Sequence, residues 1–228
     1  MLSVIIPCYN ESEKLFFSLD RLSSWLKKQD ILYEIIVINN GSTDDTDVKF
    51  KELVTDSKIS ITNEVTKGKG FAVKKGLENC SFNRVLIVDA DLSVDIDQLD
   101  SSWFIQKETL FVGSRVIGSQ QGTPIRRQFA GKLLNKLIRA IFKLSIYDTQ
   151  CGFKFLNTGN IKPIASQLSV VGFMFDLDLI MSCKNKGLEV IEVPIAYNHD
   201  NNSSVSLFRD PLIMLKDIFK IYSKYQKR

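Results

Sequence analysis

The sequence predicts an α/β fold: a sheet whose first half is parallel, with helices on both faces. Three observations carry this. Short Val/Ile-rich runs at 2–6, 33–38, 59–62 and 85–88 are separated by stretches in which Leu, Phe and Val recur at helical spacing, the pattern of β-α-β-α units. Each run is followed at once by a polar or Gly-containing segment. The chain of 228 residues, 44% hydrophobic with 12 Gly and 5 Pro, is long enough to bury a full core and lacks the composition of a disordered or repetitive protein.

Taken in order, the first helix starts near Asn10, with Glu13 three residues on to complete a capping box, and carries an apolar stripe at Leu15, Leu19, Leu22 and Leu26. Ser42 and Asp45 mark a second helix start before Val48, Phe50 and Leu53. A third helix covers 71–77, so the first ninety or so residues read as a nucleotide-binding half. Beyond Asp91 the pattern loosens. A strand region at 112–116 is followed by a Gly/Gln/Thr/Pro loop at 118–124, a basic helix at 125–145, and a strand at 153–156. A helix at 176–186, a strand at 188–195, an Asn/Ser-rich loop and a last helix at 210–224 complete the chain. No internal repeat or long linker divides it.

No apolar run approaches the ~20 residues of a membrane-spanning helix. Glu11 and Glu13 follow the first strand too closely for a secretory leader, which predicts a cytoplasmic location. Four cysteines, Cys8, Cys80, Cys151 and Cys183, form no C-x-x-C pair and read as reduced thiols. The single histidine, His199, excludes a His-rich metal centre.

In open α/β sheets ligands bind beyond the carboxyl ends of the strands. There the chain places Pro7 to Glu11 after the first strand and Asn39 to Ser42 after the second. Lys67 to Gly70 follow the third and Asp89-Ala90-Asp91 the fourth. The two carboxylates are hard oxygen donors suited to Mg²⁺ or Mn²⁺, and such a cation neutralises a bound diphosphate. Lys67-Gly68-Lys69-Gly70 offers ammonium groups and a helix N-terminus to an anion. It is not a P-loop, because Phe71 follows Gly70.

Six segments in this order resemble a known family: 3–11, 34–46, 67–76, 88–91, Gly113-Ser114-Arg115, and Asp148-Thr149-Gln150-Cys151-Gly152-Phe153-Lys154. They look like the family 2 glycosyltransferases of GT-A fold, in the polyprenyl-phosphate (dolichyl-phosphate) glucosyl- and mannosyltransferase branch. The likeness continues through 193–195 and 206–210. It implies a Rossmann-like nucleotide-binding half at 1–91 and an acceptor half at 92–208, sharing a mixed central sheet within a domain of 1–208, with a C-terminal amphipathic helix at 209–228. It implies inverting transfer of a hexose from a nucleotide diphosphate sugar, of UDP-glucose or GDP-mannose type, to a polyprenyl phosphate.

By that resemblance Pro7, Tyr9, Glu11 and Asn40 line the base and ribose site, Lys69 and Asp89 approach the nucleotide, and Asp89 with Asp91 holds the metal. Asp148, Gln150 and Lys154 lie near the sugar and acceptor phosphate, with Arg115, Arg126 and Arg127 on phosphate. Asp89, Asp91, Asp148 and Arg115 form the catalytic set. The family usually carries Asp-Asp-Gly-Ser where this chain has Asn39-Asn40-Gly41-Ser42. An Asn carbonyl accepts a base N–H only as a neutral bond, so the base stays open. The absence of a histidine base fits a phosphate acceptor, already ionised near neutral pH. An alcohol acceptor requires a base such as Asp148.

Six basic residues and no acid lie between Arg126 and Ser145, and Lys132, Lys136, Arg139 and Lys143 form one stripe beside apolar Phe129, Leu133, Leu134, Leu137, Ile138, Ile141 and Phe142. From Arg209 onward six further basic residues oppose two acids, with Leu212, Leu215, Ile218, Phe219 and Tyr222 on the other side. These helices suit an anionic membrane surface, giving a peripheral protein, and equally suit packing on the core with solvated lysines. Basic residues interleaved with aliphatic ones argue against nucleic acid. Two further readings of the chain stay open: transfer to a saccharide or other hydroxyl, and a nucleotide-sugar-binding module without turnover.

Overall fold

A computed structural model describes residues 1–170, 172–198 and 210–225, without the side chains of Arg127 and residues 210–212. His199, the 206–209 stretch and the side chain of Arg127, all singled out above, lie outside the described residues.

The four expected strands form as β1 (Leu2–Cys8), β2 (Tyr33–Asn39), β3 (Ile59–Asn63) and β4 (Arg84–Ile87). They alternate with α1 (Ser12–Lys28), α2 (Thr46–Leu53) and α3 (Lys69–Asn79). Next come β5 (Thr109–Gln121), α4 (Ile125–Phe142), β6 (Lys154–Asn157) and α5 (Lys162–Gln167). The chain then forms α6 (Phe175–Asn185), β7 (Glu189–Asn198) and α7 (Asp210–Tyr225). The sheet has seven strands in the order β3-β2-β1-β4-β6-β5-β7. β1 to β4 are parallel, whereas β6 runs antiparallel to both β4 and β5, and β7 is parallel to β5. One antiparallel strand therefore brings the carboxyl ends of β4 and β5 and the start of β6 to the same edge.

Alternation along β1 sends Leu2, Val4 and Ile6 into one buried layer and Ile5 into the other. The first layer is closed by the α1 stripe Leu15, Leu19, Leu22 and Leu26, all buried as expected. The second gathers α3, α5 and α6 with Ile138 of α4 and Ile218 and Ile221 of α7.

Some local expectations are corrected. Asn10 does not cap α1. It lies at φ 54 and its side chain accepts from the Thr43 amide, while Asp44 accepts from Ser12 N and Thr46 N and so serves both helix starts. In α2 only Phe50 of the expected apolar stripe is buried; Val48 and Leu53 face solvent. The loop expected from residue 118 is still strand, because β5 runs to Gln121 past a register shift between Ser114 and Ser119. Gly118 makes this possible, since a Cβ there would lie 2.1 Å from the Ile195 carbonyl oxygen.

α7 is tied to the body by Asp178, fully buried on α6. Its carboxylate accepts from Ser169 N (2.6 Å), Val170 N (3.0 Å), Lys224 Nζ (2.7 Å) and Tyr225 OH (3.1 Å). Asp178→Ala leaves buried donors without an acceptor, and chemical denaturation is expected to show a loss on the order of 3 kcal/mol.

Candidate functional site

β4 ends at Ile87, so Asp89 and Asp91 lie in the turn beyond the strand and not on a continuing strand face. Leu92 N donates to Asp89 O (3.1 Å), and Leu92 itself sits at φ 45, a left-handed conformation that is strained for a branched apolar residue. This turn sets the two carboxylates at the mouth of the crevice. Asp89 Oδ1 pairs with Lys69 Nζ at 2.5 Å, and Asp91 Oδ1 accepts from Ser93 N at 3.0 Å. The other side of Asp89 rests on Gly152, where a Cβ would lie 2.0 Å from Oδ2; only glycine lets this carboxylate settle there.

Burial opposes ionisation of Asp89, but Lys69, with Lys154 and Arg115 behind it, outweighs burial and holds the carboxyl below its ordinary value. For Lys69 burial disfavours the ammonium, while Asp89 and Asp176 more than restore it and place it above the ordinary lysine value.

The second cluster is built from β5 and the loop before β6. Arg115 makes a fork on Asp148, with Nε to Oδ2 at 2.7 Å and Nη2 to Oδ1 at 2.9 Å, and its backbone N–H adds a bond to Oδ2 at 3.1 Å. Gln150 N also donates to Asp148 Oδ1. Burial raises the Asp148 carboxyl, yet these bonds from Arg115 bring it below its usual range. The Tyr197 ring lies under the guanidinium at 5.3 Å. The loop is clamped from outside: Glu192 of β7 accepts from Tyr147 N and Asp148 N, and Asn135 of α4 accepts from Thr149 N and its hydroxyl.

The expected site residues thus divide. Pro7, Tyr9, Glu11, Lys69, Asp89, Asp91 and Arg115 line the strand-end edge; Tyr9 is 42% exposed, with Lys67 Nζ 5.7 Å from its ring centre. Asn40 departs from expectation. It is buried, its amide donates to Thr66 O and its carbonyl accepts from Gly68 N, both at 2.7 Å, so it builds the loop leading into α3. Asn39 likewise accepts from Ser42 N. Lys154 also departs: it is 1% exposed, paired with Asp176 at 2.5 Å and bonded to Cys151 O, which removes it from the open crevice. Asp148 is equally enclosed, at 1% exposure. Gln150 is half-buried and donates to Phe173 O, and Arg126 is exposed at the start of α4. All four cysteines are free and buried, and burial pushes the Cys151 thiol up to about 11.

Sequence reasoning missed Asp176, Glu192 and Asn135. Burial drives the Asp176 carboxyl above its ordinary range, with Lys154 and Lys69 opposing. Asp176 lies in the first turn of α6 and looks in sequence like any first-turn acid; only its pairing with Lys154 marks it.

Among the described residues no group of three His, Cys, Asp or Glu side chains forms a self-sufficient metal site. The donor chemistry nevertheless fits a divalent cation. Asp89 Oδ1 already holds a cationic group, and Mg²⁺ or Mn²⁺ commonly takes one or two carboxylates plus phosphate oxygens.

Residues 3–162 match the family described as Glycosyl transferase family 2. A dolichyl-phosphate beta-glucosyltransferase from Trichomonas vaginalis is 31% identical over 225 residues, covering 89% of this chain and 65% of that relative, so the chain spans just under two thirds of its length. One from Saccharomyces cerevisiae is 30% identical over 250 residues, covering 98% of this chain and 75% of the relative. The fold matches glucosyl-3-phosphoglycerate synthase from Mycobacterium tuberculosis. Its complex with Mn²⁺ and UDP-glucose aligns at TM-score 0.68 and 19% identity over 99% of this chain and 79% of that one. This confirms the expected GT-A architecture.

Asp148 supplies a test of the site's electrostatics. A carboxyl whose folded pKa lies below its unfolded value, about 4, adds stability above that value and loses it as pH falls through the depressed one. Asp148→Asn is therefore expected to cost about 3 kcal/mol near neutral pH. In denaturation series the gap from wild type should narrow as pH is lowered through the acid range.

Proposed function

The chain belongs to glycosyl transferase family 2, and from that premise we propose that it transfers glucose from UDP-glucose, with inversion, to a polyprenyl phosphate at a membrane surface. The observation that carries the acceptor reading is Asp148: both its oxygens are engaged by Arg115, so it is not available to take a proton from an alcohol. A phosphate oxygen is ionised near neutral pH and attacks the anomeric carbon with no such help. The glucose reading follows the relatives' names, and the uridine reading follows the neighbour solved with UDP-glucose.

In this proposal Pro7, Tyr9 and Glu11 border the base and ribose, with Asn40 shaping the loop beside them. Lys69 meets the diphosphate from the start of α3. Asp89 and Asp91 are the residues that would hold Mg²⁺ or Mn²⁺, which when bound supplies positive charge to the departing diphosphate. Asp148 orients Arg115, whose remaining N–H groups face the acceptor phosphate, with Arg126 and Arg127 nearby in sequence. Holding acceptor and donor in line is then the main contribution of the chain's own residues.

Membrane contact is supported by how α4 divides its apolar residues. Ile138 and Phe142 pack on the core, whereas Ile125, Phe129, Leu133 and Leu137, spaced by four, are 82%, 72%, 62% and 41% exposed. α7 adds exposed Ile213, Leu215 and Phe219, and the two helices touch through Phe142 and Tyr222, whose ring centres are 6.0 Å apart. Lysines flank this face, as an interfacial helix on anionic lipid requires. No described helix is long and apolar enough to cross a membrane.

Incubation with labelled UDP-glucose, a short polyprenyl phosphate and Mn²⁺ is expected to move label into the organic phase, whereas saccharide acceptors gain none. Label appearing only on saccharides would refute the lipid acceptor, and nucleotide binding without product would favour a non-catalytic module. Asp91→Asn should lower transfer by about a hundredfold or more while the circular dichroism spectrum is unchanged. Phe129→Glu, at an exposed position, should reduce flotation with phosphatidylglycerol vesicles without lowering thermal stability. Unchanged flotation would show that α4 is not the docking face.

A further inference from the structure

Lys69 is the first residue of α3, where the helix dipole is positive and an anion is favoured. An ammonium in this place adds nothing to helix stability. It is held instead by the crevice: Nζ sits 2.5 Å from Asp89 Oδ1 and 5.6 Å from the centre of the Phe175 ring. Of the other carboxylates that act on Lys69, Asp176 is already taken by Lys154 at 2.5 Å, and Asp91 accepts from Ser93 N. The far side of Asp89 is closed by Gly152. Asp89 Oδ1 thus carries a monovalent cation of the chain's own. A divalent cation can reach that oxygen only if the ammonium leaves, and leaving is costly unless another anion receives it.

We infer that Lys69 is the resident counter-cation of Asp89, and that a divalent cation binds with or after the nucleotide diphosphate, whose phosphates draw Lys69 away. This rests on the donor and metal reading above and adds an order of binding to it. The start of α3 then receives the anion suited to it, and Asp89 exchanges one positive partner for another without being left unpaired in a partly desolvated place. Lys154, fixed on Asp176, does not move in this exchange.

The test is titration of the purified full chain with Mn²⁺ near neutral pH, reading free Mn²⁺ by electron paramagnetic resonance, with and without UDP. Wild type should bind Mn²⁺ weakly alone and more tightly with UDP. Lys69→Met and Lys69→Gln should bind Mn²⁺ without UDP about tenfold more tightly than wild type, equivalent to about 1.4 kcal/mol. Lys69→Arg should stay as weak as wild type, and adding Asp89→Asn to Lys69→Met should remove the gain. Circular dichroism melts establish that each variant is folded, and the two neutral replacements guard against one failing. Neutral variants that bind Mn²⁺ no more tightly than wild type would overturn the inference while leaving the metal reading intact. A wild-type chain that binds UDP but takes up no Mn²⁺ would overturn the metal reading itself.

Discussion

The ionised Asp89 side chain is the constraint around which the crevice is arranged. A carboxylate partly withdrawn from water is held ionised by a positive partner, and here Lys69 supplies it at 2.5 Å while the charges of Lys154 and Arg115 add to the field. The surrounding geometry follows from keeping that group in place. β4 ends two residues before it, Leu92 takes a strained conformation to turn the chain after it, and position 152 must lack a side chain. β6, inserted antiparallel between β4 and β5, is what brings Gly152 and Lys154 against the end of a parallel strand.

Around this centre the charges are arranged as separate pairs. Lys154 neutralises Asp176, Arg115 neutralises Asp148, and Lys224 neutralises Asp178. Asp176 and Asp178 leave α6 two residues apart, one toward the crevice and the other toward α7. Asn135 and Glu192 connect the Asp148 loop to α4 and β7. The helices with exposed apolar faces are therefore bonded to the elements that shape the site, which gives that exposed apolar surface a fixed position relative to the crevice.

The β-α alternation was legible because buried parallel strands and amphipathic helices impose periods of two and 3.6 on hydrophobicity, and the stripe of α1 was read residue by residue. The start of α2 after Asp45 was legible too, but the side chain that bonds the helix starts was not, because Asp44 serves α1 from another segment of the chain, a tertiary bond with no local signature. The continuation of β5 past Gly118 was hidden for a similar reason: the glycine that looks like a turn signal accommodates the Ile195 backbone. At the site, Asp89 and Asp91 were visible as acids closing an apolar run, and Lys69 as a basic residue in a Gly-containing segment at a helix start. The roles of Asn40 and Lys154 were not, because side-chain burial depends on partners distant in sequence, Gly68 and Asp176, that a motif does not name.

The most direct measurement is a crystal structure of the full chain with UDP and Mn²⁺, with manganese located by anomalous scattering. One peak is expected between the diphosphate and the carboxylates of Asp89 and Asp91, with the Lys69 ammonium turned from Asp89 onto the phosphates. Bound UDP with no manganese at these carboxylates, and Lys69 still paired to Asp89, would contradict it.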